Sequence, residues 1–179
     1  SQDRDGSVIY IGTLSKIGAP GLRLGYVAAP ESFVSALAAA RFLRDRHGDP
    51  AMECAVAELI EDGDLARHVW RARRVYLSRR DSLVAELRRS FEHELSFSVP
   101  RGGMALWARV AAPIDVDAWA ARAVREGVFV RTHRRFTLDG ASGPFVRLGF
   151  AHLSEAEMVR GLERWRRALS TLPGKVKLR

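Results

Sequence analysis

Residues 12–26 constrain this chain most, because their residue types do not suit a packed core. They follow an apolar run at residues 8–11, which predicts a buried strand. A lysine held at the end of a strand can form a Schiff base with a carbonyl group. Hydroxyl and backbone N–H groups can bind a phosphate, and a guanidinium can hold it through a planar fork of donors. The segment therefore predicts a site for an anionic ligand that meets an amine, formed by Thr13, Ser15, Lys16 and Arg23.

The pattern Gly-Thr-x-Ser-Lys-x-x-x-Pro-Gly-x-Arg-x-Gly-Tyr resembles the lysine segment of the fold-type I aminotransferases, which bind pyridoxal 5'-phosphate (PLP). The resemblance implies that Lys16 is the catalytic residue and forms the internal aldimine. It also implies that Thr13 and Ser15 lie near the phosphate and that Arg23 pairs with it. The alternative is that Lys16 is a solvated loop lysine and Arg23 a surface ion-pair residue.

A second candidate site residue, Arg147, lies within the apolar run at residues 145–150, which predicts a strand. The two-residue period of a strand puts Phe145, Arg147 and Gly149 on one face. An arginine buried there needs an anionic partner, since an unpaired buried charge is costly. The strand pattern alone leaves open whether that partner is a ligand or a neighbouring Asp or Glu. The motif Arg-x-Gly-Phe-Ala resembles the family's, which implies that Arg147 binds the substrate's α-carboxylate.

The helical run at residues 57–81 resembles one in the MocR-type regulators of the GntR superfamily. Such proteins join an N-terminal winged-helix DNA-binding head to a PLP-binding effector domain. Class I/II aminotransferases of the aminoadipate and kynurenine type share the lysine and arginine motifs, so the resemblance leaves regulator and enzyme both open. It implies a homodimer that binds an amino acid or amino compound, and that contacts DNA only through an upstream head. The single cysteine, Cys54, cannot form an internal disulfide, which suits a cytoplasmic protein.

The expected fold is α/β: part of an aminotransferase large domain, linked by a long helix to a small α+β domain. We expect a large-domain remnant at residues 1–63, an interdomain helix at 64–92, the small domain at 93–172 and a disordered basic tail at 173–179. The family's aspartate for the pyridine nitrogen, its stacking aromatic and its glycine-rich loop lie upstream of the lysine strand. The chain therefore looks like the C-terminal half of a longer protein. We expect the segment alone to bind PLP weakly and to be catalytically inactive.

Charge and composition narrow the classes of function that remain open. The net charge of +8 invites a nucleic-acid-binding hypothesis. However, the arginines are spread over predicted helices with acidic residues between them, which favours a solvated face. We expect no membrane span, because no run of about eighteen apolar residues occurs, and no metal site. Arg131, His133, Arg134 and Arg135 form a basic segment that should be exposed and for which the sequence indicates no role.

The remaining elements follow from periodicity and from turn residues. Ser154 and Glu157 have the spacing of a capping box, which predicts the start of the last helix. Asp115 or Asp117 should open the preceding one. Further helices are expected at residues 31–46, 51–62 and 64–91, and strands at residues 24–29, 95–99, 104–110, 128–131 and 145–150.

Overall fold

The computed structural model describes residue 3 and residues 5–172 of the chain. The chain forms two compact units, Ser1–Arg73 and Arg74–Arg179. Within the described residues it contains five α-helices and two separate β-sheets, so the predicted α/β class is confirmed. The basic tail predicted at residues 173–179 lies outside the described residues.

The N-terminal unit is built on a two-stranded antiparallel sheet. Strand β1 (Tyr10–Thr13) pairs with β2 (Gly25–Ala28), and Thr13 lies opposite Gly25. A short 3-10 helix, Pro20–Leu22, interrupts the connection between the strands. Helices α1 (Glu31–Asp45) and α2 (Pro50–Glu61) follow, and α3 (Asp64–Ser90) begins in this unit. All three helices lie where the apolar periodicity predicts them.

The expectation that residues 8–11 form a buried strand is wrong for the structure described. Val8, Ile9, Tyr10 and Ile11 are 43–75% exposed. Val8 and Ile9 precede β1, and the sheet that contains Tyr10 and Ile11 has two strands among the described residues, so most of this apolar surface is not covered. β2 has a similar pattern, since Tyr26 is half exposed. Apolar composition predicts the strands, but the burial of a strand depends on the layers packed against it.

The C-terminal unit packs a four-stranded antiparallel sheet against helices. The strand order is β3–β4–β6–β5. The strands are β3 (Leu95–Phe97), β4 (Ala105–Val110), β5 (Arg131–Thr132) and β6 (Phe145–Gly149). Helices α4 (Val116–Arg125) and α5 (Glu155–Ser170) pair with each other, and the second half of α3 contributes to the same core.

Two tryptophans and a phenylalanine form the centre of this core. The rings of Trp119 on α4 and Trp165 on α5 stack with centroids 4.1 Å apart, and Phe91 packs against both. The indole N–H of Trp119 donates a 3.0 Å hydrogen bond to the carbonyl of Trp165. Burial of each such side chain stabilises the fold by about 1.5–3 kcal/mol. The aromatic stack therefore fixes how α4 and α5 cover the sheet.

The buried stripe of α3 is shorter than periodicity predicts. The expected stripe comprised Leu65, Val69, Ala72, Tyr76, Leu83, Leu87 and Phe91. Only Leu83, Leu87 and Phe91 of that set are buried, and Val84 joins them. The apolar residues in the first half of α3 are therefore only partly buried.

Strand β5 begins later than the predicted strand at residues 128–131. Helix α4 ends in a Schellman-type cap at Gly127, whose φ is +76°. In that cap the backbone N–H of Val128 donates a 2.8 Å hydrogen bond to the carbonyl of Ala123. The cap thus includes the first residue of the predicted strand, and pairing with β6 starts at Arg131.

The predicted helix starts are resolved by side-chain capping. Asp115 is the residue that opens α4, because its carboxylate accepts hydrogen bonds from the N–H groups of Asp117 and Ala118, both at 3.0 Å. The capping box of α5 is confirmed, because the side chains of Ser154 and Glu157 each bond the other residue's backbone N–H group.

Within the described residues, no helix has the length and hydropathy to cross a membrane, and no cluster of acidic, cysteine and histidine residues suits a metal ion.

Candidate functional site

The predicted lysine site lies on a loop whose ends are joined by a backbone hydrogen bond. The N–H of Leu14 donates to the carbonyl of Leu24 at 2.9 Å, extending the β1–β2 pairing by one step. Ser15 and Arg23 each adjoin one of these bonded residues. The structure therefore brings the predicted hydroxyl and guanidinium residues to the same narrow end of the loop.

Lys16 lies on a tight turn anchored by a buried leucine. Leu14 is 8% exposed, and its carbonyl accepts hydrogen bonds from the N–H groups of Ile17 and Gly18 at 3.2 and 2.8 Å. This turn fixes the backbone on both sides of Lys16 while the lysine side chain itself stays exposed. A fixed backbone with an accessible amine suits a residue that must meet a ligand.

Thr13 orders the start of the same turn. Its hydroxyl oxygen accepts a 3.2 Å hydrogen bond from the N–H of Ser15 and lies 3.5 Å from the carbonyl oxygen of Leu24. The half-buried Ser15 hydroxyl makes no hydrogen bond to any described residue. Ser15 therefore has a free donor, whereas the hydroxyl of Thr13 is partly used within the loop.

Arg23 adopts a backbone conformation that is unusual for an arginine. Its φ and ψ are +49° and +22°, in the left-handed region. A non-glycine residue there is disfavoured by about 1–2 kcal/mol, and such strain often lies at binding sites. Neither Arg23 nor Lys16 forms an ion pair or a side-chain hydrogen bond with any described residue. The surface ion pair that the alternative hypothesis assigns to Arg23 is thus not formed within the described chain.

The C-terminal unit contains the second candidate residue on the open face of its sheet. Val146 and Leu148 are buried on the core side of β6, while Arg147 is half-buried on the other side. Arg147 lies opposite Trp107 of β4 and opposite Arg131 of β5. No described Asp or Glu forms an ion pair with it. A methyl group added at Gly149 would meet only the carbonyl of Met104, at 3.9 Å, so space remains beside the arginine.

Aromatic side chains line the same face. Trp107 stacks on Phe145 at 5.7 Å and meets Phe136 edge-on at 5.1 Å. His133 stacks on Phe145, and its buried Nδ1 atom lacks a hydrogen-bond partner among the described residues. Periodicity at residues 104–110 predicts the strand, but it does not reveal that Trp107 neighbours Arg147. Only the register of β4 and β6 shows it.

The match to known proteins covers nearly all of the chain. Residues 2–164 match the family described as aminotransferase class I and II. The chain belongs to the class I and II aminotransferase family. A likeness in fold agrees with this assignment: LysN, an α-aminoadipate aminotransferase from Thermus thermophilus, has a TM-score of 0.81 and 29% identity. That likeness covers 91% of this chain and 42% of LysN, whose structure was solved with N-(5'-phosphopyridoxyl)-L-leucine.

Relatives of this aminotransferase-family chain include both enzymes and regulators. It is 30% identical over 162 residues to an uncharacterized aminotransferase of Saccharolobus solfataricus, covering 90% of this chain and 40% of that protein. It is 28% identical over 171 residues to the probable rhizopine catabolism regulatory protein MocR of Rhizobium meliloti, covering 95% and 34% respectively. The chain thus spans about two fifths or less of the length of these relatives.

Asp117 accepts polar contacts from the loop that joins β5 and β6. The Ser142 hydroxyl donates a 2.6 Å hydrogen bond to Asp117, and Arg134 forms an ion pair with the same carboxylate at 3.5 Å. The hydrogen bond from Ser142 lowers the pKa of Asp117, and Thr132 and Arg134 lower it further. Arg134 is therefore held by an acid within the unit, in contrast to Arg131 and Arg147.

Proposed function

We propose that the chain is part of the PLP-binding, aminotransferase-like effector domain of a MocR-type transcriptional regulator. Lys16 would bind the cofactor aldehyde, Arg23 with Thr13 and Ser15 would hold its phosphate, and Arg147 would bind the carboxylate of an amino acid or amino compound. The alternative is an aminotransferase of the aminoadipate or kynurenine type. Both functions use the same residues.

The observation that carries the PLP-binding part of the proposal, which both functions share, is the identity of residue 16. Of the 29 lysine and arginine residues, three are lysines: Lys16, Lys175 and Lys177. Arginine stands at all other basic positions, so a lysine at position 16 is not explained by a general need for positive charge. Arginine stays protonated in proteins, whereas a lysine amine can lose its proton and act as a nucleophile. At a position that forms a Schiff base, arginine therefore cannot replace lysine.

The donor set at the lysine loop fits PLP. The loop offers an amine, a guanidinium and a free hydroxyl, and its two cations make no ion pair with a described carboxylate. Bound PLP supplies an aldehyde for amines and a ring that accepts electrons. Of the chain's own groups, the Lys16 amine can also carry a proton near the reacting carbon. Arg23 and Ser15 would neutralise and orient the phosphate.

Arg147 suits the carboxylate role because its environment lacks an internal partner. A half-buried guanidinium gains strongly from a bidentate carboxylate, since partial burial reduces competition from water. Space beside Gly149 lets such a group approach. We propose that the α-carboxylate takes that place.

The proposed organisation follows the family resemblance. Residues 1–63 would be a remnant of the PLP-binding large domain, residues 64–92 an interdomain helix and residues 93–172 the small domain. The full-length protein would be a cytoplasmic homodimer, and DNA would be bound by an upstream winged-helix head. The similarity to the MocR protein supports the regulator, and the similarity to the Saccharolobus solfataricus protein supports the enzyme.

Covalent trapping tests the cofactor assignment. Full-length protein is incubated with PLP and reduced with borohydride, and the modified peptide is located by mass spectrometry. We expect the label on Lys16, and its loss in Lys16→Arg. Lys175→Arg and Lys177→Arg are matched controls that should keep it. Labelling spread over all lysines, or unaffected by Lys16→Arg, would contradict the proposal.

A second experiment separates the regulator from the enzyme. The full-length protein with PLP is tested for amino transfer to 2-oxo acids and for DNA binding with and without amino compounds. A regulator should change its DNA affinity when the amino compound is added and Arg147 is intact. Sustained amino transfer without DNA binding would favour the aminotransferase.

A further inference from the structure

Two arginines face each other across neighbouring strands of the C-terminal sheet. Arg131 of β5 is the direct partner of Arg147 of β6 in the antiparallel register. Directly opposed residues have Cβ atoms about 4.5–5.5 Å apart and project to the same face. Both guanidinium groups therefore extend from neighbouring points on the open face of the sheet.

Like charges directly opposite each other destabilise a strand pair unless an anion lies between them. No described acid supplies that anion, since neither arginine forms an ion pair or a side-chain hydrogen bond within the described chain. Some other arginines of the same unit do have acidic partners, namely Arg80, Arg89, Arg134, Arg166 and Arg167. What distinguishes Arg131 and Arg147 is that they lie directly opposite each other in the strand register with no described acid between them.

We propose that Arg131 binds a second acid group of the same amino compound whose α-carboxylate Arg147 binds. The inference rests on the proposed function of Arg147 and adds the substrate class: an amino acid with a second carboxylate or sulfonate. Arg131 lies on a two-residue strand and is exposed, so it can adjust to the length of the ligand. Its guanidinium would offer a planar fork to either acid group.

The same sheet supplies a matched control. Arg109 on β4 is also exposed, on the same face, and without an ion pair among the described residues. It lies opposite Phe145 rather than opposite Arg147. If general positive charge on this face attracted acids, Arg109 and Arg131 would contribute alike. If the opposed pair forms the subsite, only Arg131 affects discrimination.

The test is a calorimetric titration of PLP-loaded full-length protein with glutamate, glutamine and cysteate. Glutamate and glutamine have nearly the same shape and differ in the charge of the distal group, and cysteate tests a sulfonate. We expect one of the acids to bind at least about tenfold more tightly than glutamine, as one charged hydrogen-bonding pair predicts. Arg131→Gln should abolish that preference and leave glutamine binding unchanged. Arg131→Lys should restore part of it, and Arg109→Gln should leave it intact.

Several outcomes would overturn the inference. These are an equal affinity for acid and amide in the unaltered protein, a preference that survives Arg131→Gln, or equal loss of all three ligands in that variant. Equal loss would mean that Arg131 only supports the sheet or the α-carboxylate. If Lys16 is labelled by PLP but the Arg131 result fails, only this inference falls. If no label forms and no amino acid binds, the proposed function falls with it.

Discussion

The backbone N–H of Leu14 donates a hydrogen bond to the carbonyl oxygen of Leu24 at 2.9 Å. Leu24 lies ten positions after Leu14, and the bond closes the loop that holds Lys16 and Arg23. A backbone bond of this kind does not depend on the side chains of the site. The loop can therefore be perturbed, or left intact, independently of its charged groups.

Closure of the loop depends on the absence of a side chain at Gly25. A methyl group there would lie 2.7 Å from the carbonyl oxygen of Gly12 on the paired strand. We expect Gly25→Ala to destabilise the strand pair by about 1–3 kcal/mol, because the backbone must shift. Hydrogen exchange of the Leu14 amide should accelerate accordingly. Gly21→Ala is the control, since nothing lies within 4 Å of its added methyl group, and its exchange should stay unchanged.

Replacement of Arg23 should affect stability and anion binding in opposite directions. Glycine tolerates the left-handed backbone at this position, so Arg23→Gly should keep or raise stability by up to about 1 kcal/mol. The same variant should lose PLP affinity by at least about tenfold, because the phosphate loses its guanidinium. Chemical denaturation and PLP titration measure the two effects. Arg23→Lys should retain part of the affinity, and an unchanged affinity in Arg23→Gly would exclude Arg23 from the phosphate site.

Asp117 should give the C-terminal unit a pH-dependent stability. Its pKa is held below the ordinary value of 3.8, chiefly by the hydrogen bond from Ser142. The folded state then binds this proton less tightly than the unfolded state. The added stability is fully present above the unfolded pKa and is lost as pH falls through the lower folded pKa.

Denaturation of the Asp117→Asn variant across pH tests this. We expect it to be less stable than the unaltered protein at pH 7 by at most about 1 kcal/mol, because the carboxylate is about one-third exposed. The difference should shrink below about pH 4. In a Ser142→Ala background the effect should be smaller. A difference that is constant from pH 7 to 2 would contradict the assignment.

The two side chains of the ion pair between Glu94 and Arg166 differ strongly in burial, so removal of Arg166 alone should destabilise the fold. The Glu94 side chain is 10% exposed and lies 2.6 Å from Arg166, which is 45% exposed. Arg166→Met leaves a nearly buried carboxylate unpaired, so we expect a loss of about 2 kcal/mol, less than for a fully buried pair. Adding Glu94→Gln should recover much of that loss. Thermal or urea unfolding measures both variants.

The next residue of the same helix provides the comparison. Arg167 pairs with Glu126 at 3.4 Å, and both side chains are more than one-third exposed. Arg167→Met should reduce the free energy of unfolding by less than about 1 kcal/mol. Equal losses in the two methionine variants would show that burial of Glu94 does not govern the result.

Local interactions were the most predictable part of this fold. The capping box at Ser154 and Glu157 lies within one turn of chain, so the sequence contains all of its partners. The positions of the helices follow from periodicity for the same reason. The shifted start of β5 shows the limit, because the apolar run at residues 128–131 predicts a strand although the cap at Gly127 takes the N–H of Val128. Composition does not show which partner prevails.

The candidate site residues also differ in how far the sequence alone predicts them. The lysine motif is contiguous, and the sequence alone identifies Thr13, Ser15, Lys16 and Arg23 as candidates whose roles stay predictions. Arg147 is a candidate because a charged residue is unusual within an apolar strand. The opposition of Arg131 and Arg147 depends on strand register between residues 16 apart, and no local pattern encodes it. Likewise, exposure of residues 8–11 depends on what packs against their sheet.

The alternation along β6 has a practical consequence for mutational scanning. Even-numbered positions, Val146 and Leu148, point into the hydrophobic interior, and odd-numbered positions, Phe145 and Arg147, point away from it. A saturation library across these five positions should separate by parity. Substitutions at even numbers should lower protein abundance, and those at odd numbers should spare abundance while altering ligand response.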